Sequence, residues 1–414
     1  MCSQENTPRE HVSSEKARMP RFNYFLSDIK NPVQKENPIW QAPIPLSRTQ
    51  SAGTFVSNSD MLVHHGDCFS AARDFLEKDR YAVITQAVSR HLRRQIPVKE
   101  IDEIRIILDK HGAFYHPAKI EAVLKDVQIS FVLNIAVTEI GKQCAQREYR
   151  ILEMLNADAS PSFIPDVYAQ GSVITKRDQV ETRMFLAEWF EGFHEFHLSS
   201  DLSDGTVKII VWDNDRGNFF LTKHQTMHLY RKAAKILTYY YNIETFEQIF
   251  SWHHAAGDFV LKCRKEDVEV KLVTVRQYRS MFKKNIHPEH KPPDAEMILE
   301  ALMVFFFNLA IKMRIDRLDG VGEIVWSDKI ALTGILKGFF EGLALKPPVD
   351  VFEAPLADCF RQHLLACSAA DFSDMNHAIF RGYPSQASEV PVIRRHLARH
   401  IEALYNTARQ LEKV

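Results

Sequence analysis

The sequence predicts an α+β protein in two lobes. Alternating runs rich in Val and Ile recur between residues 101 and 190, which is strand patterning. Beyond residue 290 the spacing is helical. No internal repeat or heptad array is present, so neither a solenoid nor a coiled coil is indicated.

Composition narrows the function classes. The chain has 414 residues, with 45% hydrophobic and 25% charged residues, ordinary for a globular protein with a sizeable core. The 52 Lys and Arg nearly cancel the 53 Asp and Glu, so bulk attraction to nucleic acid or an anionic membrane is not expected. The six cysteines include no C-x-x-C pair, which leaves zinc ribbons, iron–sulfur runs and thioredoxin-type motifs without support. Scattered thiols in a chain of this length suit a reducing compartment. The first residues carry Glu5, Arg9 and Glu10 and no apolar core of a signal peptide. The most apolar stretch, Met297 to Met313, is interrupted by Glu300, Asn308 and Lys312 and falls short of the ~20 residues a span needs. It reads as a buried helix, and the chain as cytoplasmic with no membrane partner.

Residues 1–60 hold six of the 18 prolines and end in a polar run from Ser47 to Ser59. They read as an extended, partly disordered tail. Phe22, Tyr24, Phe25 and Trp40 in that tail ask for a surface to dock on, either the body of the chain or a protein partner. Residues 61–190 read as a strand-rich small lobe with leading helices. Phe75 and Leu76 belong to one helical segment, and Ile84, Val88, His91 and Leu92 to a second that Pro97 ends. Ile104, Ile106 and Leu108 alternate as a strand; a turn containing Gly112 follows, then strands over 119–125 and 129–138. A helix over 141–156 shows Cys144, Glu148, Ile151, Leu152 and Leu155 on one face. Strands follow over 167–173 and 184–189. Residues 191–414 read as a mainly helical large lobe: a helix over 225–241, a short helix from Glu244, a loop from Trp252 to Asp258, strands over 259–263 and 268–275, and further helices.

That order resembles the small lobe and large-lobe core of protein-kinase-like folds, closest to the aminoglycoside-phosphotransferase branch. The resemblance covers roughly residues 101–280 and rests on element order. It implies a nucleotide or other small-molecule ligand in an interlobe cleft, with ATP and Mg²⁺ as cofactors. Gly112's turn would cover the ligand, Glu148 would be the glutamate of the small-lobe helix, and the backbone of Glu188 to Glu191 would contact the base. Asp258 stands where the family has a metal-binding Asn, and its hard oxygens suit Mg²⁺. The motifs depart from the pattern elsewhere. The strand Phe131 to Val137 offers Asn134 where the family has the phosphate-gripping Lys, with Lys119 or Lys125 on the preceding strand within a neighbouring reach. His253 falls near the catalytic Asp position, and Thr274 or Arg276 where the second metal-binding acid is expected. A nucleotide-binding phosphotransferase relative with degenerate motifs is the reading these residues imply.

The same loop carries a second pattern. His253-His254-x-x-x-Asp258 resembles the HHxxxD motif of chloramphenicol-acetyltransferase-like and condensation-domain acyltransferases, in which the second His is the base and the Asp is structural. His254 would then deprotonate an acceptor, although Phe259 replaces the glycine that follows the motif. A transition-metal site would need His253, His254 and Asp258 joined by His194 and His197, which share a face if their segment is helical. A non-catalytic interaction protein is the third reading. Trp212 to Asn218 reads as an Asx-type turn, because a calcium loop would need a Glu at its twelfth position. Arg314 to Gly320 reads as a charge-dense segment of mutual ion pairs and helix caps or, failing that, a phosphate grip. Met303, Phe306, Phe307 and Ala310 read as core, and Arg90 to Arg94 as a solvated helix end.

Overall fold

Alternation along the strands sets one face of a sheet against a helix and the other toward polar groups. The computed structural model describes residues 19–26, 31–44, 63–108, 112, 114–157, 162–177, 179–250, 252, 257–282 and 292–413. The chain divides into two units, residues 1–145 with 168–189 and residues 146–167 with 190–414. The architecture is α+β, strand-rich in the first half and helix-rich in the second.

In the first unit, β1 (Arg21–Leu26), β2 (Glu103–Leu108), β3 (His116–Leu124), β4 (Val127–Ala136), β5 (Val167–Ile174) and β6 (Glu181–Glu188) form one sheet, in the spatial order β1-β2-β3-β4-β6-β5. The sheet core is made by every second residue: Ile104, Ile106 and Leu108 of β2, Ala118, Ile120 and Ala122 of β3, Phe131 and Leu133 of β4, Leu186 of β6. They share that core with Phe69, Phe75, Leu76, Ile84 and Val88 of α1 (His65–Leu92). α1 breaks at Lys78–Tyr81, where Asp79, Arg80 and Tyr81 take φ of 50°, 59° and 68°. Its two pieces match the two apolar segments of the sequence.

The aromatics of the N-terminal segment dock on their own chain. β1 adds to the sheet parallel to β2, with Tyr24 opposite Ile106. Tyr24 and Trp40 are buried and meet at 5.2 Å, and each also contacts the ring of Phe69. Gly66 makes this possible: a Cβ there would stand 2.0 Å from the Trp40 indole nitrogen. Residues 1–18, 27–30 and 45–60 of the expected tail lie outside the described residues.

The division between the units falls inside α2 (Glu139–Ala157). Cys144, Glu148 and Leu152 are buried, as the face predicts, and Ala145 and Tyr149 join them. In the second unit β7 (Phe196–Ser200), β8 (Val207–Val211) and β9 (Phe219–Phe220) form a three-stranded sheet, followed by α3 (Lys223–Tyr239). The expected helix from Glu244 is not there. Phe246 takes a φ of 57°, and β10 (Glu247–Phe250) pairs with the distant β13 (Gln277–Ser280). Between them β11 (Phe259–Arg264) and β12 (Asp267–Leu272) make a hairpin. α4 (Ala295–Lys312) is the buried helix foreseen, with Met303, Phe306, Phe307 and Ala310 fully buried. The hairpin β14 (Ile315–Arg317) and β15 (Ile324–Trp326) precedes α5 (Ile330–Leu343), α6 (Leu356–Ala366), α7 (Ala369–Arg381) and α8 (Val390–Ala408). α5 lies unusually close to α3. Gly334, Gly338 and Gly342 form its contact stripe, and a Cβ at Gly338 would come within 1.9 Å of the Arg231 carbonyl oxygen.

Candidate functional site

The hairpin β11–β12 builds the main site in the second unit. Phe259 pairs with Leu272, so the residues just outside the hairpin, Asp258 and Val273 to Arg276, lie side by side. Gly257 enters the turn at φ 73°, and Val273 N–H donates to the Asp258 carbonyl at 2.7 Å. The Asp258 side chain is 1% exposed. Thr274 Oγ1 donates to its Oδ1 at 2.7 Å, Arg276 Nη1 to its Oδ2 at 2.9 Å, and Arg276 Nη2 lies 2.6 Å from Oδ1. This is a bidentate arginine–carboxylate pair, the strongest geometry such a pair has.

Glu148 meets the same segment from α2. It is 1% exposed and accepts the Val275 N–H at 2.6 Å. Its neighbour Arg147 donates from Nε to the Arg276 carbonyl at 3.1 Å. Three positions singled out in the sequence, Glu148, Asp258 and the strand end 274–276, therefore stand together. The arrangement does not fit Mg²⁺ at Asp258. Both carboxylate oxygens already receive hydrogen bonds from a fixed cation and a hydroxyl, so a divalent ion would have to displace Arg276.

His253 and His254 lie outside the described residues. Trp252, which opens their loop, is buried, with the Lys312 ammonium 5.8 Å from its ring centre and 4.8 Å from that of Phe250. Burial holds the Lys312 pKa below the usual lysine range, against a raising effect of Glu389. The sequence did signal Lys312, as a charge interrupting an apolar helix.

The remaining candidates sit in the first unit or elsewhere in the second. Asn134 is buried on β4, opposite Pro117 and Phe185. Lys119 faces Val132 across β3–β4, which puts it on the same sheet face as Asn134, away from the α1 core. Its Nζ lies 3.0 Å from Glu121 and 5.3 Å from the centre of the Trp189 ring. Lys125 is exposed in the turn after β3. Glu188 pairs with Phe131, so its side chain belongs to the opposite face. Gly112 N–H donates to the Tyr115 carbonyl at 3.1 Å, and a Cβ at Gly112 would stand 2.7 Å from that oxygen; its neighbours 109–111 and 113 lie outside the described residues.

The histidine pair His194 and His197 is not helical. His197 lies in β7, buried 3.6 Å from Asp316, while His194 bridges to Leu261 and lies 3.6 Å from Asp213. Among the described residues no three His, Cys, Asp or Glu side chains form a metal group. Asp213 makes the expected Asx turn, accepting from the N–H groups of Asp215 and Arg216 at 2.9 Å. Arg314 is buried and donates to the Ser327 carbonyl and His400, and Asp316 accepts the N–H groups of Leu198 and Arg317. Backbone groups of Ser327, Leu198 and Arg317 thus take part in holding the segment. A cavity of about 430 Å³ in the first unit is lined by Trp40, Asp67, Arg73, Asp74 and Lys176. Two of its cations are paired, Arg73 with Glu77 at 2.9 Å and Lys176 with Asp74 at 3.1 Å, and Lys35 and Arg177 line it as well.

No protein-family model and no curated protein matches the chain. Among solved structures it is similar to "WaaP in complex with acyl carrier protein", at 9% identity and a TM-score of 0.31, over 65% of this chain and 86% of that one. A likeness that slight carries nothing about fold or function.

Proposed function

We propose that the chain is a kinase-like nucleotide-binding protein that holds ATP without a divalent cation and transfers no phosphoryl group. The observation that carries this is the convergence of Glu148, Asp258 and residues 274–276 on one segment. The kinase-like reading counts Glu148, Asp258 and the 274–276 segment among its site positions, and neither competing reading involves Glu148. The Arg276–Asp258 pair supports the degenerate form. Phosphoryl transfer relies on metal ions that bridge phosphate oxygens and neutralise developing charge, and a guanidinium fixed to a buried carboxylate is not free to do so. The five described cysteines are free thiols, which suits a cytoplasmic protein.

The test is a thermal shift of the full chain with ATP in EDTA and with ATP plus Mg²⁺, together with an ATP-turnover assay. An equal rise in both, with no turnover, is expected, since a ligand bound only by the folded state raises Tm. A rise only with Mg²⁺, or none at all, overturns the reading. A second reading has one observation in its favour. An HHxxxD acyltransferase needs a structural Asp, and the buried pair of Asp258 with Arg276 suits that role. Loss of acyl transfer from acyl-CoA by about 10²–10⁴-fold in His254→Ala would establish it in place of the first.

A further inference from the structure

We propose that His224 and His228 form a site for a divalent transition metal on the first turns of α3, with zinc as the representative ion. The two residues are four apart on a helix and so share one face. Their ring centres are 4.2 Å apart at 37°. His224 is exposed and the His228 side chain 17% exposed, so an ion can reach both.

The tautomers are what make the pair a ligand set. His224 Nδ1 lies 3.2 Å from the Glu266 carbonyl oxygen, and His228 Nδ1 lies 2.7 Å from Asp267 Oδ1. A carbonyl or carboxylate oxygen only accepts, so each Nδ1 carries the proton and each Nε2 of the neutral ring carries a lone pair. Metal-bound histidines characteristically donate their other ring N–H to such an acceptor, which orients the ring and raises its basicity.

The acceptors are themselves fixed to the helix. They sit in the turn between β11 and β12, and Gln225 Nε2 donates to the Lys265 carbonyl of that turn at 2.7 Å. Zinc–nitrogen bonds of about 2.0–2.1 Å place two nitrogens on one tetrahedral ion roughly 3.3 Å apart. The ring centres stand 4.2 Å apart, a separation of the same order. Imidazole nitrogen suits Zn²⁺ and Cu²⁺ and disfavours Mg²⁺ and Ca²⁺, and water fills the remaining positions. A bound ion would brace α3 against the tip of the hairpin whose open end carries Asp258 and Thr274.

The test is calorimetric titration of ZnCl₂ into the EDTA-stripped full chain, beside His224→Ala, His228→Ala and Asp267→Asn, each checked for folding by circular dichroism. One zinc per wild-type chain is expected, lost in both alanine variants and weakened 10–100-fold in Asp267→Asn. With Cu²⁺ as the probe, binding should be tighter than with Zn²⁺. No saturable zinc binding by the wild type, or binding that persists unchanged in a folded His228→Ala, overturns the proposal.

Discussion

Replacing Arg276 by Met tests whether the ion pair with Asp258 is a buried structural element. The substitution keeps most of the side-chain volume and removes the charge. In its absence the Asp258 carboxylate, 1% exposed, loses both guanidinium contacts and keeps the Thr274 hydroxyl bond. Breaking a buried pair on one side costs about 3–5 kcal/mol, because a charge remains buried without compensation. For a domain of 150–250 residues that is about 2–4 °C of Tm per kcal/mol. The double variant Asp258→Leu/Arg276→Met removes both charges and should recover about 2 kcal/mol or more relative to the sum of the single changes. Urea denaturation of the two single variants and the double variant measures this directly. A single-variant cost below about 1 kcal/mol, the range of an exposed pair, would refute the reasoning. So would strict additivity of the two changes.

Three further outcomes follow from the packing. His400 is buried, and burial together with the Arg314 charge lowers its pKa from 6.5 to about 3. The folded state then binds fewer protons than the unfolded state between those values, so stability falls as pH drops from about 6.5 to 3. The urea midpoint of His400→Gln should fall less steeply over that window than the wild type's; equal slopes would disprove it. Gly338→Ala should destabilise by about 1–3 kcal/mol or more, because the new methyl meets the backbone oxygen of Arg231, which cannot move aside as a side chain would. Denaturation showing no loss would contradict that packing. Gly66→Ala should expel the Trp40 indole and make residues 31–44 cleavable by a non-specific protease at a rate well above wild type; an unchanged digestion pattern would show that Trp40 does not anchor the segment.

Much of the fold was legible because periodicity records burial along a single element. The alternation of Ile104, Ile106 and Leu108, the buried face of α2 and the apolar run of α4 each follow from water avoidance within a few consecutive residues. The Asx turn at Asp213 was legible for a similar reason, since its partners are two and three residues away. The missed features depend on partners distant in the chain. β10 exists because β13 pairs with it, and β1 docks because α1 leaves a slot at Gly66 for Trp40. The sequence singled out Glu148 and Asp258 as carboxylates and set Thr274 or Arg276 where a second acid is expected. Only the hairpin register brings Arg276 to Asp258 across 18 residues, and only α2 brings Glu148 to Val275 across 127. His224 and His228 carried the i, i+4 signal of a helix face, but their tautomers depend on the turn at Glu266 and Asp267. Local spacing states which side chains leave water. Which groups they meet there is decided by tertiary contacts, because a hydrogen bond acts only over about 3 Å and the chain alone does not say which distant atoms arrive within it.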